Sequence, residues 1–318
     1  MLARAKSLFD PMVRLLLLAI VLASLVPVTG EGRAIARFVS DAAIFVLFLL
    51  NGLRLPREQV VRGIANWRFL LPLIVWVFGA MGLAGWGLFQ LGELVLPVSV
   101  ALGFVFLGLL PSTVQSATAY CSIAGGNVAA SVVAAAVINV LGVFVTAPLL
   151  ALATGGDVSI DLAALQRIGL ILLLPFAVGQ LLQSRLGALV AENRHIIVWA
   201  DRGAIAIAVY VAFSAAVEQG LWSLLGTAAW AGLAMLLACF LALGFGGSWL
   251  LGMALRLDRG DRIAFLFAGA QKSIALGAPL AAVLFPPATA GLVLLPVLLY
   301  HLLQMVISAP VAARFSRA

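Results

Sequence analysis

Apolar runs, each about as long as a bilayer is thick, follow one another along almost the whole chain. They fall at about 12–29, 34–53, 69–90, 94–123, 126–152, 166–186, 195–217, 225–253, 260–287 and 289–313, and about 20 apolar residues in a helix span the hydrocarbon core. No soluble fold hides so much. Hydrophobic residues make up 64% of the sequence and charged residues 10%, with mean hydropathy +1.19, against roughly 45–50% and about 25% in a soluble domain. The surplus apolar surface needs lipid to receive it. The chain therefore reads as an all-α integral membrane protein with ten transmembrane helices, whose first partner is the lipid bilayer. Met1 to Pro27 has the basic start and apolar run of a signal peptide, but Val26-Pro27-Val28-Thr29-Gly30 offers no small-x-small cleavage site, so a retained first helix is expected.

A formal charge of +7 would point to nucleic acid in a soluble protein, so its placement matters more than its sum. With the amino terminus inside, fifteen Lys and Arg fall on the inner side and three (Arg33, Arg37, Arg167) on the outer, leaving Lys272 alone within a span. This asymmetry places both termini in the cytoplasm and explains the charge as topology, with no nucleic-acid partner. Cys121 and Cys239 lack metal-ligand spacing and a disulfide framework, and read as packing residues. "GFGGSWLLG" (244–252) follows no strand and reads as close helix packing. With no P-loop, zinc motif or nucleophile elbow, an enzyme and a bound cofactor are not expected.

Five spans lie on each side of the polar stretch "TGGDVSIDLAALQR", which predicts two halves of opposite orientation: 1–152, a connecting loop at 153–165, and 166–318. A repeat supports the division. "NVLGVFVTAPLLA" (139–151) lies over "HLLQMVISAPVAA" (301–313), with Pro148 and Pro310 162 residues apart. The same offset pairs two unusual spans, "GFVFLGLLPSTVQSATAYCSIAGG" and "RIAFLFAGAQKSIALGAPLAAVLF", and sets Pro111 against Ser273. Proline lacks the amide hydrogen of a helix interior and collides with the preceding turn, so "LPSTVQS" opens the fourth helix. Broken backbone at membrane depth is tolerated only where protein or a water-filled cavity satisfies it, and two broken helices in corresponding positions point to a transport site. Half-helix amino termini there favour an anion. Ser112, Thr113, Gln115 and Ser116 either satisfy the opened backbone or touch a substrate. Asn139 and His301 coincide under the offset and serve either interhelical hydrogen bonding or substrate contact. Gln304 lies one turn beyond His301. His195 reads as a loop histidine.

"LPSTVQSATAYCSIAGGNVAASVVAAAVINVLGVFVTAPLL", followed much later by "GAQKSIALGAP" and "LLPVLLYHLLQ", resembles the bile acid:sodium symporter family, in its branch of bacterial transporters described as sodium-dependent. The resemblance covers essentially the whole chain. It implies two inverted five-helix repeats, a panel domain and a core domain, with the fourth and ninth helices broken where they cross. It also implies symport of a small organic anion across the bacterial inner membrane by alternating access. Gln271 matches a glutamine of the family's ninth helix, and His301 a histidine lining its substrate cavity. The family's hydroxyl and amide ion ligands map near Ala117, Thr118, Ser131 and Ala135, so a sodium site here would use Thr118, Ser131, Gln271 and Ser273 with backbone carbonyls. Phe267 stands where the sodium-coupled branch has a glutamate, Lys272 where it has an asparagine, and "LPLIVWVFGAMG" carries no counterpart of the third-helix glutamine. The nearest acids, Glu93 and Asp261, lie toward span ends.

Lys272 carries the sharpest question. A charged lysine at mid-span costs about 2.5–3.5 kcal/mol on insertion scales. One reading has its ammonium replace the coupling cation and help bind the anion, with a proton released during the cycle; the other has it donate to carbonyls freed at the fourth-helix break. Sodium coupling, proton coupling and uncoupled movement follow as alternatives, and beside them a membrane regulator that keeps the fold without transport.

Overall fold

A computed structural model describes residues 11–54, 66–154 and 166–316; of the expected connecting loop, all but 153 and 154 lie outside the described residues. Among the described residues every regular element is helical: α1 (Pro11–Leu25), α2 (Gly32–Arg54), α3 (Trp67–Gly92), α4a (Val98–Leu109), α4b (Gln115–Ile123), α5 (Val128–Ala153), α6 (Ile168–Glu192), α7 (Arg194–Glu218), α8 (Thr227–Ala254), α9a (Arg259–Ala270), α9b (Ile274–Leu284) and α10 (Pro287–Phe315). Eight stretches among the described residues, counting Arg259–Leu284 as one, are long and apolar enough to cross a membrane, and α1 and α4a are shorter apolar helices.

Local chemistry sets the ends. α1 stops at Leu25, short of the apolar run, because Pro27 cannot donate and biases Val26 away from helix. α5 starts on Asn127, whose side chain accepts from the Ala130 N–H at 3.0 Å and donates to Asp261 Oδ1 at 2.7 Å. α9a starts on Asp258, which accepts from the Asp261 N–H at 2.8 Å. Three π-helical segments, Val75–Ala80 in α3, Ile168–Leu173 in α6 and Leu243–Gly247 in α8, have no sequence signal, since widening a turn leaves an all-apolar run all apolar. A single-turn helix at Leu221–Leu224 also goes unanticipated. His195 is a helical residue, not a loop one: it lies in the first turn of α7, and its Nε2 accepts from Trp199 Nε1 at 3.2 Å.

The helices form two packed groups. In one, α2 lies against α6, and α7 against α1 and α2. Ion pairs Arg33–Glu218 and Arg54–Asp201 tie the two ends of α2 to α7, and Arg167–Asp41 at 2.9 Å ties α2 to the start of α6. In the other, α4a packs on α3 and α10, while α9a packs on α4b, α5 and α8. α7 joins the groups by packing on α9b and α10. The broken ninth helix is the centre, with 94% of its apolar window buried against 22% for α2. Close backbone approach makes this possible: a Cβ on Gly108 would lie 3.2 Å from the Cα atoms of Gly82 and Gly85, so glycine lets α4a touch α3.

Candidate functional site at the helix crossing

The fourth helix opens between Leu110 and Val114, and the ninth between Gln271 and Ser273. The two openings meet. The Ser273 N–H donates to the Pro111 carbonyl at 2.8 Å, which joins the two residues that the 162-residue offset pairs. Pro111 is held from behind by α5, where a Cβ on Gly142 would come within 2.7 Å of its ring.

Lys272 is 1% exposed. Its Nζ donates to the carbonyls of Val77 at 2.9 Å, Gly108 at 2.7 Å and Leu110 at 2.9 Å, using all three hydrogens of the ammonium. Gly108 and Leu110 stand at the carboxyl end of α4a, where carbonyls lack helical partners and carry partial negative charge. Val77 lies in the π-helical segment of α3. The lysine thus caps one half-helix and pins it to a second helix from a third. Leu110 and Lys272 are themselves 162 positions apart.

Amides and hydroxyls complete the crossing. Gln304 bonds the Lys272 backbone twice, accepting its N–H at 2.8 Å and donating to its carbonyl at 3.0 Å, and its Nε2 lies 2.9 Å from His301 Nδ1. Gln271 Oε1 accepts from the hydroxyls of Thr113 and Ser116, and its Nε2 donates to Ser308 Oγ at 3.0 Å. Asn139 Nδ2 donates to the Ser112 and Ala135 carbonyls, each at 2.7 Å. Ser273 Oγ caps α9b by accepting the Leu276 N–H at 3.3 Å.

Most of the residues singled out from the sequence are thus close together. Lys272, Gln271, Ser273, Thr113 and Asn139 bond directly into the crossing, and His301 joins through Gln304. Ser112 contributes its carbonyl, while its hydroxyl is buried without a partner. Gln115 is exposed at the start of α4b. Thr118 and Ser131 face each other at 3.5 Å between α4b and α5, and Ser131 is fully buried. Two pairs went unseen in the sequence. Thr146 Oγ1 donates to the Leu109 carbonyl at 3.0 Å, and at the positions 162 residues later the direction reverses, with Gln271 Nε2 donating to Ser308 Oγ at 3.0 Å. The aligned "VTAP" and "ISAP" already set these hydroxyls over each other. Tyr300, which donates to the Ala270 carbonyl at 2.6 Å, had no such signal.

A family model described as the SBF-like CPA transporter family matches residues 10–317. "Uncharacterized protein PA2026" of Pseudomonas aeruginosa is 37% identical over 318 residues, covering 99% of this chain and 95% of that protein. "Putative symporter YfeH" of Escherichia coli (strain K12) is 34% identical over 319 residues, covering 98% and 94%. An all-helical chain of bilayer-length apolar helices, matched from end to end in this way, is an integral membrane protein that belongs to the SBF-like CPA transporter family.

Proposed function

We propose that the protein is a secondary transporter of a small organic anion, moving it by alternating access around the crossing of α4 and α9. The observation that carries this reading is the crossing itself: two interrupted helices, joined from the Ser273 N–H to the Pro111 carbonyl at 2.8 Å, in a transporter family. A fold with no need to rearrange gains nothing from broken helices at membrane depth, where each opened backbone group must find a partner. The meeting of residues 162 positions apart, Pro111 with Ser273 and Leu110 with Lys272, supports two inverted five-helix halves and ten spans. The distribution of Lys and Arg supports a bacterial inner-membrane protein with both termini in the cytoplasm.

In this reading Lys272 is a built-in cation. It supplies at the crossing the positive charge that sodium supplies in the bile acid:sodium symporters this chain resembles, and its three carbonyl partners hold the charge in place. With every ammonium hydrogen engaged, it attracts an anion by charge; the direct contacts fall to Thr113, Gln115, Asn139 and His301. Coupling to sodium through Thr118, Ser131, Gln271 and Ser273 is then dispensable, and a proton or no ion takes its place. The complete burial of Lys272 favours a second reading, a membrane regulator in which the lysine is only a strut.

Purified protein in liposomes, screened with anionic solutes under imposed sodium or proton gradients beside Lys272→Asn and Lys272→Ala, separates these. Saturable uptake by the wild type, lost or converted to sodium dependence in Lys272→Asn, is the expected result. No uptake of any anion under either gradient favours the regulator, and a strict sodium requirement in the wild type rules out the lysine as the cation's substitute.

A further inference from the structure

The contact between His301 and Gln304 fixes where its hydrogens lie. Gln304 stands three residues past His301 on α10, and its amide is clamped by the backbone of Lys272: Oε1 accepts the Lys272 N–H at 2.8 Å and Nε2 donates to the Lys272 carbonyl at 3.0 Å. Turning the amide over would set oxygen against the carbonyl and N–H against N–H, so its orientation is set by the chain. The second hydrogen of Nε2 is left for His301 Nδ1, 2.9 Å away. That nitrogen is therefore the acceptor, and the ring is a neutral imidazole with its proton on Nε2.

A proton added at Nδ1 turns the acceptor into a donor that faces a donor. The contact must break, and either the ring turns away or Gln304 lets go of Lys272. Lys272 is the middle residue of the three that interrupt the ninth helix, and Gln304 holds its backbone from both sides. The arrangement thus holds while Nδ1 is bare and is undone as pH falls.

No free carboxylate faces the new charge. α10 packs on α4a, α4b, α7, α8 and α9b. Of these only α7 carries acids, and both are paired, Asp201 with Arg54 and Glu218 with Arg33. The other ionisable groups of α7 are Arg194, His195, Arg202 and Tyr210. α4a and α9b have none, α4b has Tyr120 and Cys121, α8 has Cys239, and α10 itself adds Tyr300 and Arg314. His301 is 6% exposed, so its imidazolium would stand in a buried crossing whose fixed charge, Lys272, is also positive. A buried charge needs a partner of opposite sign.

We infer that His301 Nδ1 is a proton-binding site wired through Gln304 to the ninth-helix break: a proton taken from water releases the break, and a bound anion supplies the missing negative charge. The last step rests on the transport reading, and there it makes the coupling ion a proton that crosses together with the anion.

The chain has two histidines, His195 and His301, and two lysines, Lys6 and Lys272, so the background His195→Gln/Lys6→Arg leaves one of each. The test is solid-state NMR of that protein in proteoliposomes, labelled with 15N-histidine and 15N-lysine, between pH 8 and pH 4. At pH 8, Nδ1 should give the signal of a bare ring nitrogen and Nε2 that of a protonated one. On acidification Nδ1 should gain its proton, and the Lys272 backbone amide should shift with the same midpoint. Gln304→Leu should raise the proton affinity of Nδ1 about tenfold, the effect of removing one opposing hydrogen bond, and should uncouple the Lys272 amide from pH. The shared midpoint is read without any variant at the crossing, so it decides the matter even if Gln304→Leu fails to fold. An Nδ1 that already carries its proton at pH 8, one that stays bare down to pH 4, or a Lys272 amide that does not follow it would overturn the site. None of these outcomes depends on uptake. Anion uptake that ignores an imposed pH gradient would instead overturn the coupling and leave transport standing.

Discussion

The break in α4 and the break in α9 meet face to face but are made in different ways. The first is opened by Pro111, runs through five residues from Leu110 to Val114, and leaves Val114 and Gln115 exposed. α4b begins with no side-chain cap. The second has no proline, takes three residues, and buries all of them: Gln271, Lys272 and Ser273 are 0%, 1% and 2% exposed. Each of the three has a polar side chain with a partner, and Ser273 caps α9b. One break lacks the means to satisfy its own backbone, and the other has side chains to lend. Lys272 donates to the backbone at Gly108 and Leu110, and the hydroxyls of Thr113 and Ser116 donate back to the Gln271 side chain. The open break leaves the polar Gln115 exposed beside the crossing, and the closed one leaves no exposed side chain.

Substitutions at each break test this contrast. The largest effect is expected from Lys272→Met, which keeps bulk and removes the donors. Three buried carbonyls lose their partner at about 1–3 kcal/mol each, so the variant should lose at least about 3 kcal/mol of stability, read as a large fall in melting temperature in detergent. Lys272→Ala leaves room where the ammonium stood, and ammonium chloride should restore part of its melting temperature while choline chloride should not. Equal melting in the two salts would count against a carbonyl cage that needs a cation.

Pro111→Ala attacks the open break. Proline in a helix interior costs about 3 kcal/mol relative to alanine, so the variant should favour a continuous fourth helix. Anion uptake in liposomes should fall about tenfold or more while melting temperature holds or rises. Uptake equal to the wild type would show that the proline is not what keeps the helix open.

Gln304→Leu tests the closed break, where it removes both bonds to the Lys272 backbone. A loss of about 2 kcal/mol is expected from thermal melting. The smallest effects belong to Thr146→Val and Ser308→Ala, which delete one contact each at corresponding places. Each should cost about 1 kcal/mol. A large difference between them would mean that the two contacts are not equivalent supports of the crossing.

Much of the candidate site was legible because its members are polar residues in apolar runs. Lys272 and Gln271 stand out in "FAGAQKSIALGAP", and Pro111 announces its break by chemistry that needs no tertiary context. The 162-residue offset pairs Pro111 with Ser273, and their backbones touch. What stayed hidden was made of backbone or of ordinary apolar sequence. The carbonyls of Val77 and Gly108 are ligands of the ammonium, yet nothing distinguishes a valine or a glycine whose carbonyl is used. The π-helical turn around Val77 is equally silent.

Residue order and composition suffice to put this chain in lipid, to set roughly where its helices begin and end, and to mark where two of them break. The bilayer enforces those features through length, apolarity and the need to pair every backbone group. Which groups do the pairing depends on how the helices pack. A lysine at membrane depth must find acceptors, but three carbonyls from two other helices are chosen by distance, and distance is set by how closely glycine lets those helices approach.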